Sequence, residues 1–276
     1  MKLLIKTAVF TDRIAGCQQC WSVVKDVAAE MGIPVIEAKT PFTEDVRRVV
    51  YYDTPNMDLT KKDYIIRQRI RFVDGQPCNI GDLTLKYRTA GTGTVPDDAV
   101  VTAPAYKSFV SYQQDLAGFV NGQLGKNVGE MSVSRTIKKV PAEMDGNNLA
   151  FFAGYFPSLD KLGISLEEAL FLINGKVIKE YRVSPGELDF GDGMKSGPDF
   201  SIWYDFDFTT GKPMVAELSF KCPFGPEAPA GAVAKAEAFF GALQMKMSES
   251  LEPGKMKVKF VFDAGLAAAR ADSGDE

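Results

Sequence analysis

Arg67, Arg69 and Arg71 occupy every other position of the stretch YIIRQRIRFV. Side chains alternate faces along a strand, so an extended backbone here carries three guanidinium groups in a row on one face, with Ile66, Ile70 and Phe72 on the other. Three like charges side by side repel unless something anionic sits among them, and the chemistry that such a row suits is anion binding. From Arg47 to Arg88 there are nine Lys or Arg against five Asp (Asp53, Asp58, Asp63, Asp74, Asp82), inside a chain whose formal net charge is −4. The basic character is local, so the field of the whole protein would draw neither nucleic acid nor an anionic membrane surface.

Histidine is absent, which excludes Ser-His and Cys-His nucleophile pairs and the common His-bearing zinc sites. Chemistry in this chain therefore uses carboxylates, Lys, Arg, Tyr or a metal held by oxygen. Of the four cysteines, Cys17 and Cys20 form a CxxC near the start of a predicted helix, but no thioredoxin-like context surrounds them, and they read as reduced, partly buried thiols.

The elements that must hold the arginine row are strands with charged residues on one face. Leu83, Leu85 and Tyr87 alternate with Thr84, Lys86 and Arg88; Tyr204, Phe206 and Phe208 alternate with Trp203, Asp205 and Asp207; Leu218 and Phe220 alternate with Glu217, Ser219 and Lys221. In KLLIKTAVF, Lys2, Leu4 and Lys6 oppose Leu3 and Ile5. KVIKEYRV puts Lys176, Ile178, Glu180 and Arg182 on one side, MSVSRTIKK groups Arg135 with Val133 and Ile137, and KMKVKFVF sets Lys255, Lys257 and Lys259 against Met256, Val258 and Phe260. Helical spacing predicts helices over 12–31, 106–124, 159–173 and 228–245, with Asp12 as a cap, Gly32 as a stop and a capping-box pattern at Ser165 to Glu168. Residues 91–104 read as a loop.

With 276 residues and 45% hydrophobic content the chain can bury a large core. The pattern reads as one domain over 1–263 with a flexible acidic tail over 264–276. MKLLIKTAVF is interrupted by Lys6 before it reaches the roughly 7–15 apolar residues of a signal-peptide core, and no run approaches the roughly 18 of a membrane span, so the reading is cytoplasmic. Alternating strands leave two architectures open: an antiparallel sheet with its charged face in water, or one closed into a barrel around a polar lumen with helices outside. In the first, the charged face would serve as a protein-binding surface.

The ordered set YYDTPNMDLTKKDYIIRQRIRF, LTLKYR and VAELSFK resembles the CYTH family, also called triphosphate tunnel metalloenzymes, most strongly over 47–88 and more weakly over 176–221. The resemblance implies an α+β, mainly β fold: a closed antiparallel barrel whose tunnel binds a triphosphate-containing small molecule or inorganic polyphosphate, with Mg or Mn as cofactor. It further implies a metal-dependent hydrolase acting on phosphoanhydride bonds. The alternatives are a catalytically inactive polyphosphate- or nucleotide-binding protein and an adenylyl cyclase-like activity. By the same resemblance Arg69, Arg71, Lys86 and Arg88 match the family's phosphate-binding positions and Lys6 keeps its first-strand lysine, with Arg67, Arg182 and Lys221 as additions to the set. Glu217 keeps the first position of the family's late Glu-x-Glu, whose second position is Ser219 here, and is the expected catalytic residue and a metal ligand; Asp205 and Asp207, or Glu187 and Asp189, are the substitutes for the missing metal ligands. The family's first strand carries Glu-x-Glu-x-Lys, whereas this chain reads Lys2-Leu3-Leu4-Ile5-Lys6. Losing two carboxylates and gaining a lysine favours anion binding and weakens a two-metal mechanism.

Overall fold

A computed structural model describes residues 1–89, 94–117, 127–206, 212–223, 227–252 and 257–262. In chain order its elements are β1 (Lys2–Ile5), α1 (Arg13–Glu30), β2 (Val35–Glu37), β3 (Asp45–Asp53), α2 (Asp58–Lys61), β4 (Tyr64–Val73), β5 (Gln76–Pro77), β6 (Ile80–Arg88), β7 (Ser108–Ala117) and β8 (Asn127–Pro141). They continue with α3 (Leu149–Ala153), β9 (Phe171–Leu172), β10 (Ile178–Val183), β11 (Gly186–Gly191), β12 (Met194–Ser196), β13 (Asp199–Asp205), β14 (Val215–Ser219) and α4 (Ala230–Lys246). The fold is mainly β with helices, and the chain divides into two compact units that interleave in sequence.

The first unit comprises Met1–Val46, Asp115–Asn127 and Glu180–Lys259. Here β14 pairs antiparallel with both β1 and β13, with Leu3 opposite Leu218 and Phe200 opposite Leu218 on the other side. This face, with Ile5, Ile202 and Tyr204, packs against Trp21, Val24 and Val27 of α1 and Phe239 and Leu243 of α4. Each such side chain fully withdrawn from water contributes roughly 1.5–3 kcal/mol, which is what turns the alternating pattern into a layered structure. The helix α1 begins where Asp12 accepts a hydrogen bond from the Ala15 amide at 2.9 Å, and the chain leaves it through Gly32 at φ +60°. The strands β12, β11 and β2 form a separate small sheet in the same unit.

The second unit comprises Arg47–Gln114, Val128–Lys179 and Phe260–Glu276. Antiparallel pairings run from β9 through β3, β4 and β6 to β8. Val50, Tyr52, Ile66, Leu83, Leu85, Val133 and Ile137 share one face and bury it against Leu149 and Phe152 of α3 and Leu159. In neither unit taken by itself do the described pairings close on themselves, so the expected barrel is not a feature of either unit alone.

The helices predicted over 12–31 and 228–245 are found as α1 and α4. Three local expectations are corrected. Within the stretch 106–124 the described residues are not helical: β7 occupies Ser108–Ala117, where it lies beside β8 in a sheet, and 118–124 lie outside the described residues. The stretch 159–173 forms a 3-10 turn, Pro157–Leu162, which Gly163 stops at φ +68°. The backbone of Glu168 and Leu170 then bonds to Leu149 and Asn147, tying this segment to the start of α3, and Ser165 caps only a turn. The segment KMKVKFVF is not a strand where described: residues 259–262 form a helical turn that buries the adjacent Val261 and Phe262, with Phe262 set edge-on to Tyr51 at 5.7 Å. A strand would have sent those two side chains to opposite faces. The predicted tail, 264–276, lies outside the described residues.

Cys17 and Cys20 are free and fully buried on α1, and burial pushes each thiol up to about 12. They pack as small apolar groups. Among the described residues no helix is long and apolar enough to cross a membrane.

Candidate anion-binding site

The turn that opens the arginine strand is built by the Asp-Thr-Pro segment. Asp53 is buried, and its carboxylate accepts hydrogen bonds from the amides of Thr54 (2.8 Å), Leu59 (2.9 Å) and Thr60 (2.9 Å) and from the Thr60 hydroxyl (2.6 Å). Burial pushes this carboxyl up, and those same hydrogen bonds pull it back. Thr54 closes the loop: its hydroxyl donates to Asp58 Oδ2 at 2.7 Å and accepts from the Asp58 amide at 3.0 Å. These contacts fix the short helix α2 and so the length of chain between β3 and β4. Loop length sets register, and register decides which face the arginines take.

The resulting register sets Tyr51 opposite Arg67, Val49 opposite Arg69 and Arg47 opposite Arg71. Across the other edge of β4, Thr84 faces Arg67, Asp82 faces Arg69 and Lys86 faces Ile65. On β8, Ser132 faces Arg88, Ser134 faces Lys86 and Thr136 faces Thr84, with the two threonine hydroxyls 2.9 Å apart. One continuous face of the second unit thus carries five of the predicted phosphate-binding cations together with Arg47 and a row of hydroxyl groups. Gln68 and Tyr52 lie on the opposite, apolar face, where their side chains hydrogen-bond to each other at 3.1 Å.

The cationic face is partly withdrawn from water. Arg47 is 9% exposed, Thr84 4% and Ser132 1%, and Arg67, Arg69, Lys86 and Arg88 are half-buried, while Arg71 at the far end of the row is exposed. Lys86 Nζ donates to Gln113 Oε1 at 3.3 Å, and Asp82 takes an ion pair from Lys138. Arg135, by contrast, holds the Val100 carbonyl at 2.6 Å and plays a structural part.

The first unit has a polar strand face of its own. Ser201 lies opposite Glu217 on β14, Leu4 faces Glu217 from β1, and Lys2 faces Ser219. Glu180 is wholly buried; its Oε1 accepts from Ser201 Oγ at 2.5 Å and from the Trp203 indole N–H at 2.9 Å. Into this group reaches Lys257, whose ammonium lies 3.1 Å from Glu217 Oε1, 3.6 Å from Glu180 Oε1 and 2.7 Å from Ser201 Oγ, and 4.7 Å from the centre of the Trp203 ring.

The remaining predicted residues are dispersed. Arg182 pairs with Asp199 and stands 3.8 Å from Asp45; burial pulls its guanidinium down, but the charge and hydrogen bond of Asp199 more than offset this. Lys6 lies just beyond β1 and donates to the Glu249 carbonyl at 2.7 Å, and Lys221 lies exposed just beyond β14. Asp205 ends β13, on the strand face of Ser201 and Trp203, and Asp207 lies outside the described residues. Glu187 is exposed on β11, and Asp189 Oδ1 accepts the Gly191 amide at 3.0 Å to close a turn. Sequence reasoning placed Glu180 on the face of Arg182 without giving it a role, and Lys257 on one face of a predicted strand with Lys255 and Lys259; no local signal marks either as part of a buried ionic cluster.

Among the described residues the side chains do not assemble a divalent-metal site, and Asp207 lies outside them. Among the described residues no group of three or more His, Cys, Asp or Glu side chains converges. Glu180 and Glu217 do converge, but the cation between them is the Lys257 ammonium. A hard cation such as Mg²⁺ needs six oxygen ligands in near-octahedral array, and the strand position beside Glu217 offers the side chain of Leu4.

No family model matches the chain, and no curated protein matches it. Solved structures are similar over nearly its whole length. A candidate adenylyl cyclase from Hippeastrum, described as having a dominant triphosphatase activity, is 10% identical, with 96% of this chain and 94% of that chain covered and a TM-score of 0.49. A candidate adenylate cyclase from Bacillus halodurans is 15% identical, with 95% of each chain covered and a TM-score of 0.42. A third, from Vibrio parahaemolyticus, is 11% identical over 94% of this chain and 95% of that chain, with a TM-score of 0.35. Likenesses of this degree assign neither a family nor an activity to the chain.

Proposed function

We propose that this chain binds the phosphate chain of a triphosphate-containing small molecule or inorganic polyphosphate on the arginine face of β4 and β6, as a CYTH-like protein whose strands form a tunnel in a single domain. The observation that carries the proposal is the register that gathers Arg67, Arg69, Arg71, Lys86 and Arg88 on one strand face, where Thr84 and Ser132 are buried and Ser134 and Thr136 half-buried. A face in bulk water would disperse its cations among counter-ions. A shielded one strengthens charge-assisted and bidentate hydrogen bonds to a polyanion. Lys6, Arg182 and Lys221 complete the proposed phosphate-binding set, with Arg182 needing to leave Asp199 in order to take part.

The test is thermal and chemical unfolding with tripolyphosphate, without metal and with Mg²⁺ or Mn²⁺. A specific site at 100 times its dissociation constant stabilises the protein by about 2.7 kcal/mol, and Arg69→Ala should lose most of that gain. Equal unfolding midpoints with and without tripolyphosphate would overturn the reading.

A second reading adds turnover, favoured by Glu217 on a polar strand face, where its carboxylate could orient a water toward a terminal phosphorus. Phosphate release from tripolyphosphate that disappears in Glu217→Gln while binding persists would establish it, and its absence would leave a binding protein.

A further inference from the structure

We propose that Lys257 occupies a cation site formed by Glu180 and Glu217, so that the chain's own ammonium stands where a divalent metal would otherwise be needed, and that removing this side chain opens a metal-binding site. The inference is independent of the phosphate-binding reading.

Two carboxylates that approach one point inside a protein repel each other and lose hydration, so they persist as a pair only with a cation or a shared proton between them. Glu180 is wholly buried, and the side chains of Glu217 and Lys257 are each 11% exposed. The ammonium sits within 3.1 Å of one carboxylate and 3.6 Å of the other, with Ser201 Oγ at 2.7 Å and the face of Trp203 on a further side. That is a shell of oxygen acceptors and a π-face around one compact charge, which a lysine satisfies with three donors and a single formal charge. Ser201 accepts from Lys257 and donates to Glu180, so its hydroxyl belongs to the same network.

The neighbouring side chains agree with this assignment. Leu4 and Ser201 flank Glu217 on the adjacent strands, and neither is anionic. With the two glutamates alone, a divalent ion would draw most of its ligands from water in a buried setting. The ammonium is held in place by the chain and requires no such hydration. A lysine also cannot polarise a phosphoryl oxygen as a Lewis acid does, so the cluster stabilises structure in the wild type rather than supplying metal chemistry.

The experiment uses the full chain and Mn²⁺ alone as probe. Trp203 reports occupancy, because a paramagnetic ion beside its ring quenches indole fluorescence, and electron paramagnetic resonance counts free Mn²⁺ independently. Lys257→Ala removes the charge and vacates the position between the two carboxylates; Lys257→Gln is the second variant should the first not fold, as judged by circular dichroism. Wild type and Lys257→Arg should show no Glu217-dependent Mn²⁺ binding. The neutral variants should bind Mn²⁺ at least tenfold more tightly than the wild type, and adding Glu217→Gln should abolish that gain. A wild type that binds Mn²⁺ in a Glu217-dependent manner as tightly as the variants, or a folded neutral variant that gains no affinity, would overturn the proposal.

Discussion

Gly81 lies so close to β4 that a Cβ built on it would stand 2.5 Å from the carbonyl oxygen of Arg69 and 2.8 Å from the Ile70 side chain. The contact falls where the pairing of β6 with β8 shifts register, between Gly81 and Leu83, and directly before Asp82, the cross-strand partner of Arg69. The missing side chain lets β6 approach β4 at the point where the arginine row is aligned.

Gly81→Ala must therefore push β6 away from Arg69. The expected cost is about 1–3 kcal/mol of stability, as for other overpacked sites, measured as a lower urea midpoint. Affinity for tripolyphosphate should fall in parallel, since Arg69 and Lys86 lie on the two strands forced apart. An unchanged midpoint would show that β6 shifts without strain.

Substitution of Arg69 distinguishes the guanidinium fork from charge alone. Arg69→Ala should weaken tripolyphosphate binding by at least tenfold, in keeping with about 1.5–3 kcal/mol for hydrogen bonds to a charged group. Arg69→Lys should recover only part of it, because an ammonium cannot make the paired contacts of the fork. Titration calorimetry at two salt concentrations checks both points, and equal affinities for wild type and Arg69→Ala would remove Arg69 from the site.

Asp53 acts on the same strand from a distance. Asp53→Ala leaves the amides of Thr54, Leu59 and Thr60 without their acceptor, and each buried donor so stranded costs roughly 1–3 kcal/mol unless water reaches it. The expected result is a loss of at least about 2 kcal/mol in urea unfolding, with weaker tripolyphosphate binding because the β3–β4 register loses its fixed turn. Wild-type stability in the variant would mean that Thr54 and Asp58 hold the turn without it.

The buried thiols give a pH dependence of definite sign. In the unfolded chain Cys17 and Cys20 ionise near 9.0, whereas burial in the folded chain pushes them up to about 12. Between these values the folded state binds more protons, so stability falls as pH rises from 9 toward 12. At pH 10 the effect is about 1.4 kcal/mol per thiol. A Cys17→Ala, Cys20→Ala double variant should show a shallower loss of stability between pH 8.5 and 10.5 than the wild type. Thiol reagents at pH 8 should leave both cysteines unlabelled until urea unfolds the chain.

The candidate site was legible where its geometry is local. Period-two alternation predicted that Arg67, Arg69 and Arg71 share a face and that Ile66 and Ile70 turn to the core, because neighbouring residues on a strand obey one backbone rule whatever surrounds them. The same rule grouped Lys86 with Arg88 and Glu217 with Ser219. Alternation failed for KMKVKFVF and helical spacing failed for the described part of 106–124 and for 159–173, where distant partners outweighed local preference: Tyr51 receives Phe262, β7 lies beside β8 in a sheet, and Asn147 holds Leu170.

By itself, then, the sequence determined a mainly β chain with helices, strands that each carry one charged face, a basic segment from Arg47 to Arg88, and the absence of histidine chemistry. Only the tertiary structure decided that Arg182 is taken up by Asp199, that Asp53 serves the turn rather than the site, and that Lys257 lies between Glu180 and Glu217. The physical reason is that a charge has no fixed partner along the chain. Its partner is whichever opposite charge the packed backbone brings within a few ångströms, and for Lys257 that depends on where β10, β13 and β14 place their side chains relative to the C-terminal segment.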